Sequence, residues 1–175
     1  ITFFSPSGYL NSLDYRNADL ISYLPIDTSK NSRKFVEIIN PKIAVFIKND
    51  LWVNYIDSLK LKGSIIYSIS SKFNNSQFYF LFYGKWFLKK IRLIDYFFVQ
   101  DENSKSVLNR NNIKNVEVSG DYRFTSVLKL LEEDKKFKLI EKFIGKSRCF
   151  VAGSIWENDR SEEHTSELQS PDHLV

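Results

Sequence analysis

Two hydrophobic patterns alternate along this chain, one typical of buried strands and one typical of amphipathic helices. Short unbroken apolar runs, rich in β-branched residues and bounded by Pro, Gly or polar residues, predict buried strands. Longer segments with apolar residues three and four positions apart predict helices that pack one face against a sheet. The predicted strands are residues 1–4, 21–24, 42–47, 64–69, 96–99, 116–119 and 149–152, and the predicted helices are residues 29–39, 51–61, 74–93, 102–109 and 126–143.

This regular exchange of strand and helix predicts an α/β fold with a doubly wound parallel sheet, Rossmann-like in architecture. The strand 42–47 is predicted to be buried on both faces, because Ile43 to Ile47 are apolar without interruption. Ligands of such sheets bind at the carboxyl ends of the strands. Candidate functional residues are therefore sought in the loops that follow each strand.

Both ends of the sequence are unusual. The chain contains no Met and opens on Ile1-Thr2-Phe3-Phe4, which is typical of the second half of a buried strand, so its start is expected to be a cut. Residues 160–175 resemble a translated sequencing adapter and are predicted to contribute nothing to fold or function; the alternative is a native disordered tail. Without residues 161–175 the chain has 25 basic and 17 acidic residues, a net charge of +8.

The composition excludes several kinds of site. His164 and His173 both lie in that tail, so the remaining chain cannot form a Ser–His–Asp or Cys–His arrangement. Cys149 is the single cysteine, which excludes a disulfide framework. The sequence lacks a Walker loop and a G-x-G-x-x-G fingerprint, and no apolar run approaches the ~20 residues of a membrane span. No metal or cofactor is predicted, and carboxylate chemistry at strand ends remains.

Asp50 is the strongest candidate for that chemistry. It follows a predicted strand and precedes a predicted helix, where the helix dipole favours a carboxylate. The alternative is a plain helix N-cap. Trp52 and Asn54 favour the functional interpretation, because an indole can stack on a sugar and an amide can hold a hydroxyl.

Two further loops carry polar groups at strand ends. Ser5-Pro6-Ser7-Gly8 is predicted to be a tight turn whose hydroxyls and N–H groups could hold a phosphate, or an ordinary turn. Asp27 follows Pro25 and either caps the next helix or points at a ligand.

The segment 77–92 combines many aromatic residues with basic ones. A helix that is apolar on all sides is usually buried, but aromatic rings beside cations also suit an anionic lipid surface. The predicted membrane-facing residues are Lys85, Lys89, Lys90 and Arg92.

Six short motifs occur in order along residues 1–159. They are Ser5-Pro6-Ser7-Gly8, Tyr23 to Asp27, Asp50-Leu51-Trp52-Val53-Asn54, Val99 to Glu102, Gly120-Asp121-Tyr122-Arg123-Phe124 and Val151-Ala152-Gly153-Ser154. Together they resemble the 3-deoxy-D-manno-octulosonic acid (Kdo) transferases of lipopolysaccharide biosynthesis. The stretch near Tyr83-Gly84 is similar to the Bacteroidetes-type members.

The resemblance implies the N-terminal half of a GT-B glycosyltransferase. Such an enzyme moves Kdo from CMP-Kdo to a lipid A precursor, without a metal, on the cytoplasmic side of the inner membrane, either peripherally or anchored by a missing N-terminal segment. Residues 1–125 would form the acceptor-binding domain, 126–147 a linker helix, and 148–159 the first strand of the donor-binding domain. Nucleic acid is not an expected partner.

The resemblance also assigns roles to residues. Asp50 would be catalytic, as a carboxylate that positions or activates the acceptor. The implied acceptor-binding residues are Ser5, Ser7, Gly8, Asp27, Trp52, Asn54 and Arg123, and the implied donor-binding residues are Gly153, Ser154 and Glu157.

The chain departs from the family pattern at three places. Family members usually have Glu at the position of Asp50, and many have His before the Glu where Ile155-Trp156 precede Glu157. The family's expected base belongs to a Gly-Glu pair that would lie upstream of Ile1. The fragment is therefore expected to be inactive alone, because this base and most of the donor domain are missing.

Two rival interpretations remain open. One is another GT-B nucleotide-sugar enzyme, against which the Pro25-x-Asp27 and Asp50-x-Trp52-x-Asn54 patterns argue. The other is a basic, aromatic-rich module that binds nucleic acid. Retention on heparin with a steep salt dependence would favour the second.

Overall fold

The strands are parallel and lie in two sheets. In the computed structural model, which describes residues 1–124, 127–128, 138–145 and 149, one sheet has the order β1-β2 and the other β3-β4-β5-β6. The strands are β1 (Thr2–Phe3), β2 (Ser22–Tyr23), β3 (Ile43–Ile47), β4 (Ile65–Ser71), β5 (Tyr96–Val99) and β6 (Val116–Val118). The helices are α1 (Pro6–Leu10), α2 (Ser29–Ile39), α3 (Val53–Lys62), α4 (Lys85–Ile91), α5 (Glu102–Arg110) and α6 (Lys138–Ile144). The predicted α/β class with a parallel sheet is confirmed.

The chain divides into two compact units, Ile1–Lys129 and Leu130–Val175. In the second unit the described secondary structure is α6. Most of the predicted linker helix 126–147 and all of the tail 160–175 lie outside the described residues, as do all of 148–159 except Cys149.

The core of the first unit lies against one face of the four-stranded sheet. Ile66, Phe97 and Val99 are buried there beneath α3, α4 and α5. These helices contribute Ile56, Leu59, Leu88, Ile91, Val107 and Leu108 to the same cluster. α2 packs beside α3, where the Ser32 and Ser58 hydroxyls form a buried hydrogen bond of 2.9 Å. Four helices therefore cover this face.

Side-chain caps fix the starts of two predicted helices. The Thr28 hydroxyl accepts a hydrogen bond from the Asn31 N–H and begins α2. The Asp101 carboxylate accepts one from the Ser104 N–H at 2.7 Å and begins α5. Both predicted starts are confirmed, because an N-cap is a local signal that the sequence carries by itself.

The prediction that β3 is buried on both faces is wrong. Ile43, Val45 and Ile47 are each more than half exposed. β3 is the edge strand of its sheet, and the helices cover the opposite face. The apolar run identified the strand but not that one of its faces is exposed, as it also is at Ile65 and Tyr96 on the central strands.

The predicted long helix 74–93 is also wrong. The segment forms two 3₁₀ turns, Phe78–Phe80 and Phe82–Gly84, followed by α4. Gly84 is buried, and a Cβ on it would lie 2.6 Å from the Tyr79 Cα. The chain therefore folds back on itself at Gly84 instead of continuing as one helix.

We predict that acid weakens the N-terminus of α5 through Asp101. The hydrogen bonds from Ser104 and the nearby Lys72 hold the pKa of Asp101 below its usual value. A carboxyl whose pKa is lowered in the folded state stabilises the fold above its unfolded pKa, and this is lost as pH falls through the folded pKa. Urea unfolding from about pH 6 to about pH 2.5 should show wild type losing stability relative to Asp101→Asn, which caps without titrating. A constant difference would contradict the assignment.

Candidate functional site

The carboxyl ends of β3 to β6 meet at one edge of the sheet and are tied to one another. The Asn49 amide donates to the Lys72 carbonyl at 2.9 Å and accepts from the Lys72 N–H at 3.1 Å. The Gln100 amide donates to the Ser70 carbonyl at 2.9 Å. These bonds hold the loops after β3, β4 and β5 together, at the edge where parallel sheets bind their ligands.

Asp27 and Asn54 are bound to each other. The Asp27 carboxylate accepts from the Asn54 N–H at 3.3 Å, and the Asn54 amide donates to the Asp27 carbonyl at 3.1 Å. The first of these bonds caps the N-terminus of α3 from a loop distant in sequence. The other carboxylate oxygen of Asp27 is buried and has no hydrogen-bond partner among the described residues.

Tyr55 also holds the loop that contains Asp27. Its hydroxyl donates to the Pro25 carbonyl at 2.8 Å. Burial raises the pKa of Tyr55 to about 12, and the charge of Asp27 adds to this effect. Tyr55 therefore stays protonated and remains a hydrogen-bond donor at neutral pH.

Asp50 is not the N-cap of α3. The N-cap position is held by Trp52, which makes no side-chain capping bond. Asp50 is exposed, and within the described residues it makes no hydrogen bond or ion pair. The structure therefore removes the plain capping interpretation and leaves this carboxylate open to solvent.

Trp52 bridges the ends of two strands. Its ring lies 4.7 Å from the ring of Phe4, centroid to centroid, at an interplanar angle of 44°. Trp52 is partly buried against the core, whereas Phe4 is 53% exposed. This ring contact joins the loop after β1 to the loop after β3.

The Ser5–Gly8 segment is a helix start and not the isolated tight turn that was predicted. Ser5 is the N-cap of α1, and its hydroxyl accepts from the Gly8 N–H at 3.2 Å. That N–H is thus already engaged. Ser7 is exposed on the first turn of this short helix.

Arg123 is paired with Asp121 in the loop after β6. Its Nε donates to both carboxylate oxygens of Asp121, at 3.1 and 2.8 Å. The bond from Arg123 holds the pKa of Asp121 below its usual range, with a smaller contribution from Lys48. The Lys48 ammonium lies 6.0 Å from the centre of the Tyr122 ring. The loops after β3 and β6 thus approach each other through charged and aromatic groups.

The sequence pointed to the loops that begin at Lys48 and Ser70 but did not single out these two residues. Both adopt the left-handed conformation, with φ of 58° and 53°, at the ends of neighbouring strands. Such residues cost of order 1–3 kcal/mol and gather at functional sites. Neither Lys nor Ser prefers this conformation, so no local pattern signals it. The Ser70 hydroxyl is buried without a partner among the described residues.

The four basic residues of segment 77–92 differ in their surroundings. Lys90 pairs with Asp57 at 2.6 Å, and Arg92 donates to the Asn111 carbonyl at 3.0 Å. Lys85 and Lys89 are exposed. Beside them, Phe82, Tyr83 and Trp86 are exposed by 85%, 67% and 57%. We call Phe82, Tyr83, Lys85, Trp86 and Lys89 the aromatic–basic patch.

Neither a metal centre nor a membrane span is found in the described part of the chain. No three His, Cys, Asp or Glu residues there lie close enough to hold a metal ion. Among the same residues, no helix has both the length and the apolar character that crossing a bilayer requires.

Comparison with known proteins decides the family. The family model described as 3-deoxy-D-manno-octulosonic-acid transferase (kdotransferase) matches residues 1–126, which include every strand of the two sheets. The chain belongs to this transferase family. The matched region includes Asp27, Asp50, Trp52 and Asn54, the residues that the sequence had singled out.

A curated relative supports the same class of enzyme. A bifunctional glycosyltransferase/methyltransferase of Fusobacterium nucleatum subsp. nucleatum is 29% identical over 163 residues, covering 88% of this chain. The match spans 25% of that protein, so the chain corresponds to about a quarter of its length. No protein of known structure matches the chain. The Kdo-transferase family and this relative together support a glycosyltransferase role.

Some predicted site residues of this Kdo-transferase domain are not brought together, and others lie outside the described residues. Asp27 is hydrogen-bonded to Asn54, and the Trp52 ring contacts the Phe4 ring. Arg123 lies with Asp121 and Lys48 at the β6 end of the same sheet edge. The predicted donor-binding residues Gly153, Ser154 and Glu157 fall among the residues that the structure does not describe.

Proposed function

We propose that this domain is the acceptor-binding part of an enzyme that moves Kdo from CMP-Kdo to a lipid A precursor. The observation that carries the proposal is the family match over residues 1–126, because it spans the strand-end loops that hold Asp50 and its neighbours. Residues 1–125 form the acceptor domain in this proposal. Residues 126–147 link it to a donor domain that begins at 148–159 and binds CMP-Kdo through Gly153, Ser154 and Glu157.

Asp50 acts on the acceptor in the proposed reaction. An acceptor hydroxyl attacks the anomeric carbon of Kdo, the bond to the CMP phosphate breaks, and the hydroxyl proton passes to a carboxylate. Asp50 positions or activates this hydroxyl, and its exposure without a protein partner leaves its oxygens available. General-base assistance of this kind contributes roughly 10²–10⁴-fold.

The remaining acceptor-binding residues of the proposal follow β1, β2, β3 and β6, at the same edge of the sheets as Asp50. Trp52 offers a ring face to a sugar, and the buried Asp27 oxygen that has no described partner would accept from a ligand hydroxyl only once the loop uncovers it. The Asn54 amide nitrogen is engaged with Asp27, which leaves its oxygen as the acceptor. Ser5, Ser7, Gly8 and Arg123 complete the proposed set.

The test of this function is a transfer assay on a full-length family member that carries this domain. Incubation with CMP-Kdo and a lipid A precursor should give a product heavier by one or more Kdo units, as measured by mass spectrometry. No transfer from CMP-Kdo, combined with transfer from another nucleotide sugar, would instead identify a different GT-B enzyme.

We also propose that the aromatic–basic patch contacts the cytoplasmic face of the inner membrane, where a lipid acceptor is found. Large exposed rings next to Lys85 and Lys89 suit the interface of an anionic bilayer. Lys90 and Arg92, which the sequence also predicted to face the membrane, bind protein groups in this structure. The attachment is therefore assigned mainly to the other two cations and the rings.

Replacing the patch should weaken vesicle binding in two distinguishable ways. Lys85→Gln with Lys89→Gln should weaken binding to anionic vesicles roughly 30-fold at low salt, since each lysine near the surface contributes ~1 kcal/mol. Phe82→Ser with Trp86→Ser should reduce binding at every salt concentration. Co-sedimentation measures both effects.

Matched controls lie on the exposed end of α3. Lys62→Gln removes an exposed lysine, and Leu61→Ser removes a side chain that is 82% exposed. Neither should change binding. Equal losses in the controls and the patch variants would refute a local membrane contact.

A further inference from the structure

The backbone around Asp50 is held on both sides of that residue. The Lys48 N–H donates to the Ile69 carbonyl at 2.8 Å, and the Leu51 N–H donates to the Asn49 carbonyl at 2.9 Å. The second bond closes a three-residue turn that has Asp50 at its centre. Leu51 is buried in the core, whereas Asp50 is exposed. The turn therefore presents the Asp50 carboxylate to solvent from a backbone that is fixed before and after it.

The side chain of Asn49 holds this turn against the loop after β4. Its amide nitrogen donates to the Lys72 carbonyl at 2.9 Å, and its amide oxygen accepts from the Lys72 N–H at 3.1 Å. Both main-chain groups of Lys72 are thus bound, as they would be by a neighbouring parallel strand. β3 ends at Ile47 and β4 ends at Ser71, so Asn49 continues the pairing of these strands beyond their last residues.

The same amide also reaches a buried aromatic cluster. Its nitrogen donates to the Tyr79 hydroxyl over a longer distance, 3.4 Å. The Tyr79 ring is buried and contacts the rings of Phe73, Phe80 and Phe87. Burial raises the pKa of Tyr79 to about 12, so its hydroxyl stays protonated at neutral pH. The Asn49 amide nitrogen is therefore engaged with two protein groups, which suits it to hold the turn and not to bind a ligand.

Asp50 depends on this turn for its position. Within the described residues its side chain makes no hydrogen bond or ion pair that would fix it. A carboxylate that acts on a hydroxyl must lie within about 2.6–3.2 Å of it, and a displacement of about 1 Å can cost roughly 10²-fold in rate. Any change that frees the turn should therefore slow a reaction in which Asp50 takes part.

We infer that Asn49 is a positioning residue, which holds the turn so that the Asp50 carboxylate meets the acceptor hydroxyl. The inference rests on the proposed role of Asp50. Asn49 acts through Asp50 and does not touch the reacting atoms. An amide suits this position because it supplies a donor and an acceptor together, which the two main-chain groups of Lys72 require.

The alternative is that Asn49 only stabilises the fold, and Asn115 is the matched control for it. The exposed side chain of Asn115 also donates to a main-chain carbonyl in another loop, that of Asp95, at 3.0 Å. Asn115 directly precedes β6, so it lies at the opposite edge of the parallel sheet from Asp50. Asn115→Ala should leave kcat/KM unchanged.

The test is a double-mutant cycle in a full-length family member that carries this domain. Asn49→Ala should lower kcat/KM roughly tenfold, because the carboxylate is displaced but still present. In the Asp50→Asn background the same substitution should change kcat/KM less than about twofold, because no carboxylate is left to misplace. The cycle is measured with whichever nucleotide sugar the enzyme uses. A donor other than CMP-Kdo would therefore refute the proposed function while the coupling could still be measured.

Hydrogen exchange tests the tether in the 175-residue chain itself. Asn49→Ala should speed exchange of the Lys72 and Leu51 amides at least about tenfold, while the amides of β4 and β5 exchange as in wild type. Three results would overturn the inference: unchanged exchange at Lys72, equal acceleration throughout the sheet, or the same loss of kcat/KM from Asn49→Ala with and without the Asp50 carboxylate.

Discussion

Asp50→Asn in a full-length enzyme that contains this domain should lower kcat/KM for Kdo transfer by about 10²-fold, the lower end of the range for acid–base assistance, because Asp50 is proposed to position or activate the acceptor hydroxyl. Asn preserves the shape of the side chain but cannot take up a proton or carry its charge. Because Asp50 is exposed and has no described partner, the substitution should leave the thermal unfolding temperature unchanged. The loss would then belong to the reaction and not to the fold.

Two companion variants sharpen this expectation. Asp50→Glu should retain activity, because it keeps the carboxylate. Asp14→Asn, at another exposed carboxylate, should have no effect. If Asp50→Asn transferred Kdo as fast as wild type, Asp50 would have no part in the reaction.

Gly84→Ala should cost about 3 kcal/mol of unfolding free energy, the upper part of the range for inserting a methyl group into a closely packed region. The added Cβ would lie 2.6 Å from the Phe78 carbonyl carbon and from the Tyr79 Cα. Both atoms belong to the backbone, and Tyr79 is buried, so the contact cannot be relieved by rotating a side chain.

Thermal unfolding of Gly84→Ala should accordingly show a fall of roughly 10 °C, from the usual relation between free energy and melting temperature. Lys85→Ala is the control, since it changes the next residue at an exposed position and should be near neutral. The φ of −94° at Gly84 suits any residue, so the effect is steric. An unchanged melting temperature would show that the two 3₁₀ turns can move apart.

Local signals were enough to predict much of the fold. Thr28 and Asp101 mark helix starts, because their side-chain oxygens accept hydrogen bonds from N–H groups of the next turn. The strand β5 also occupies the predicted residues. By contrast, no local pattern tells whether one or both faces of a strand are covered, so the exposed face of β3 was missed. The close approach of Gly84 to the Phe78 backbone was missed as well, because it depends on packing that no local pattern shows.

The candidate site was predicted only as a set of residues. Asp27, Asp50, Trp52 and Asn54 were found because they follow strands, but the sequence did not show that Asp27 binds Asn54. It also suggested that Asp50 could be a cap, whereas the carboxylate that caps α3 comes from residue 27. Contacts across 27 residues of chain depend on how β2 and α3 pack, which periodicity does not encode.

Asp27 connects the loop after β2 to the first turn of α3. One of its oxygens holds the first turn of that helix, and the other is buried without a described partner. Because that oxygen is covered in the folded loop, a ligand hydroxyl would reach it only when the loop opens. By linkage, such a ligand would loosen the start of α3, and more so the tighter it binds. Faster hydrogen exchange at the Asn54 amide would then report that the ligand is bound.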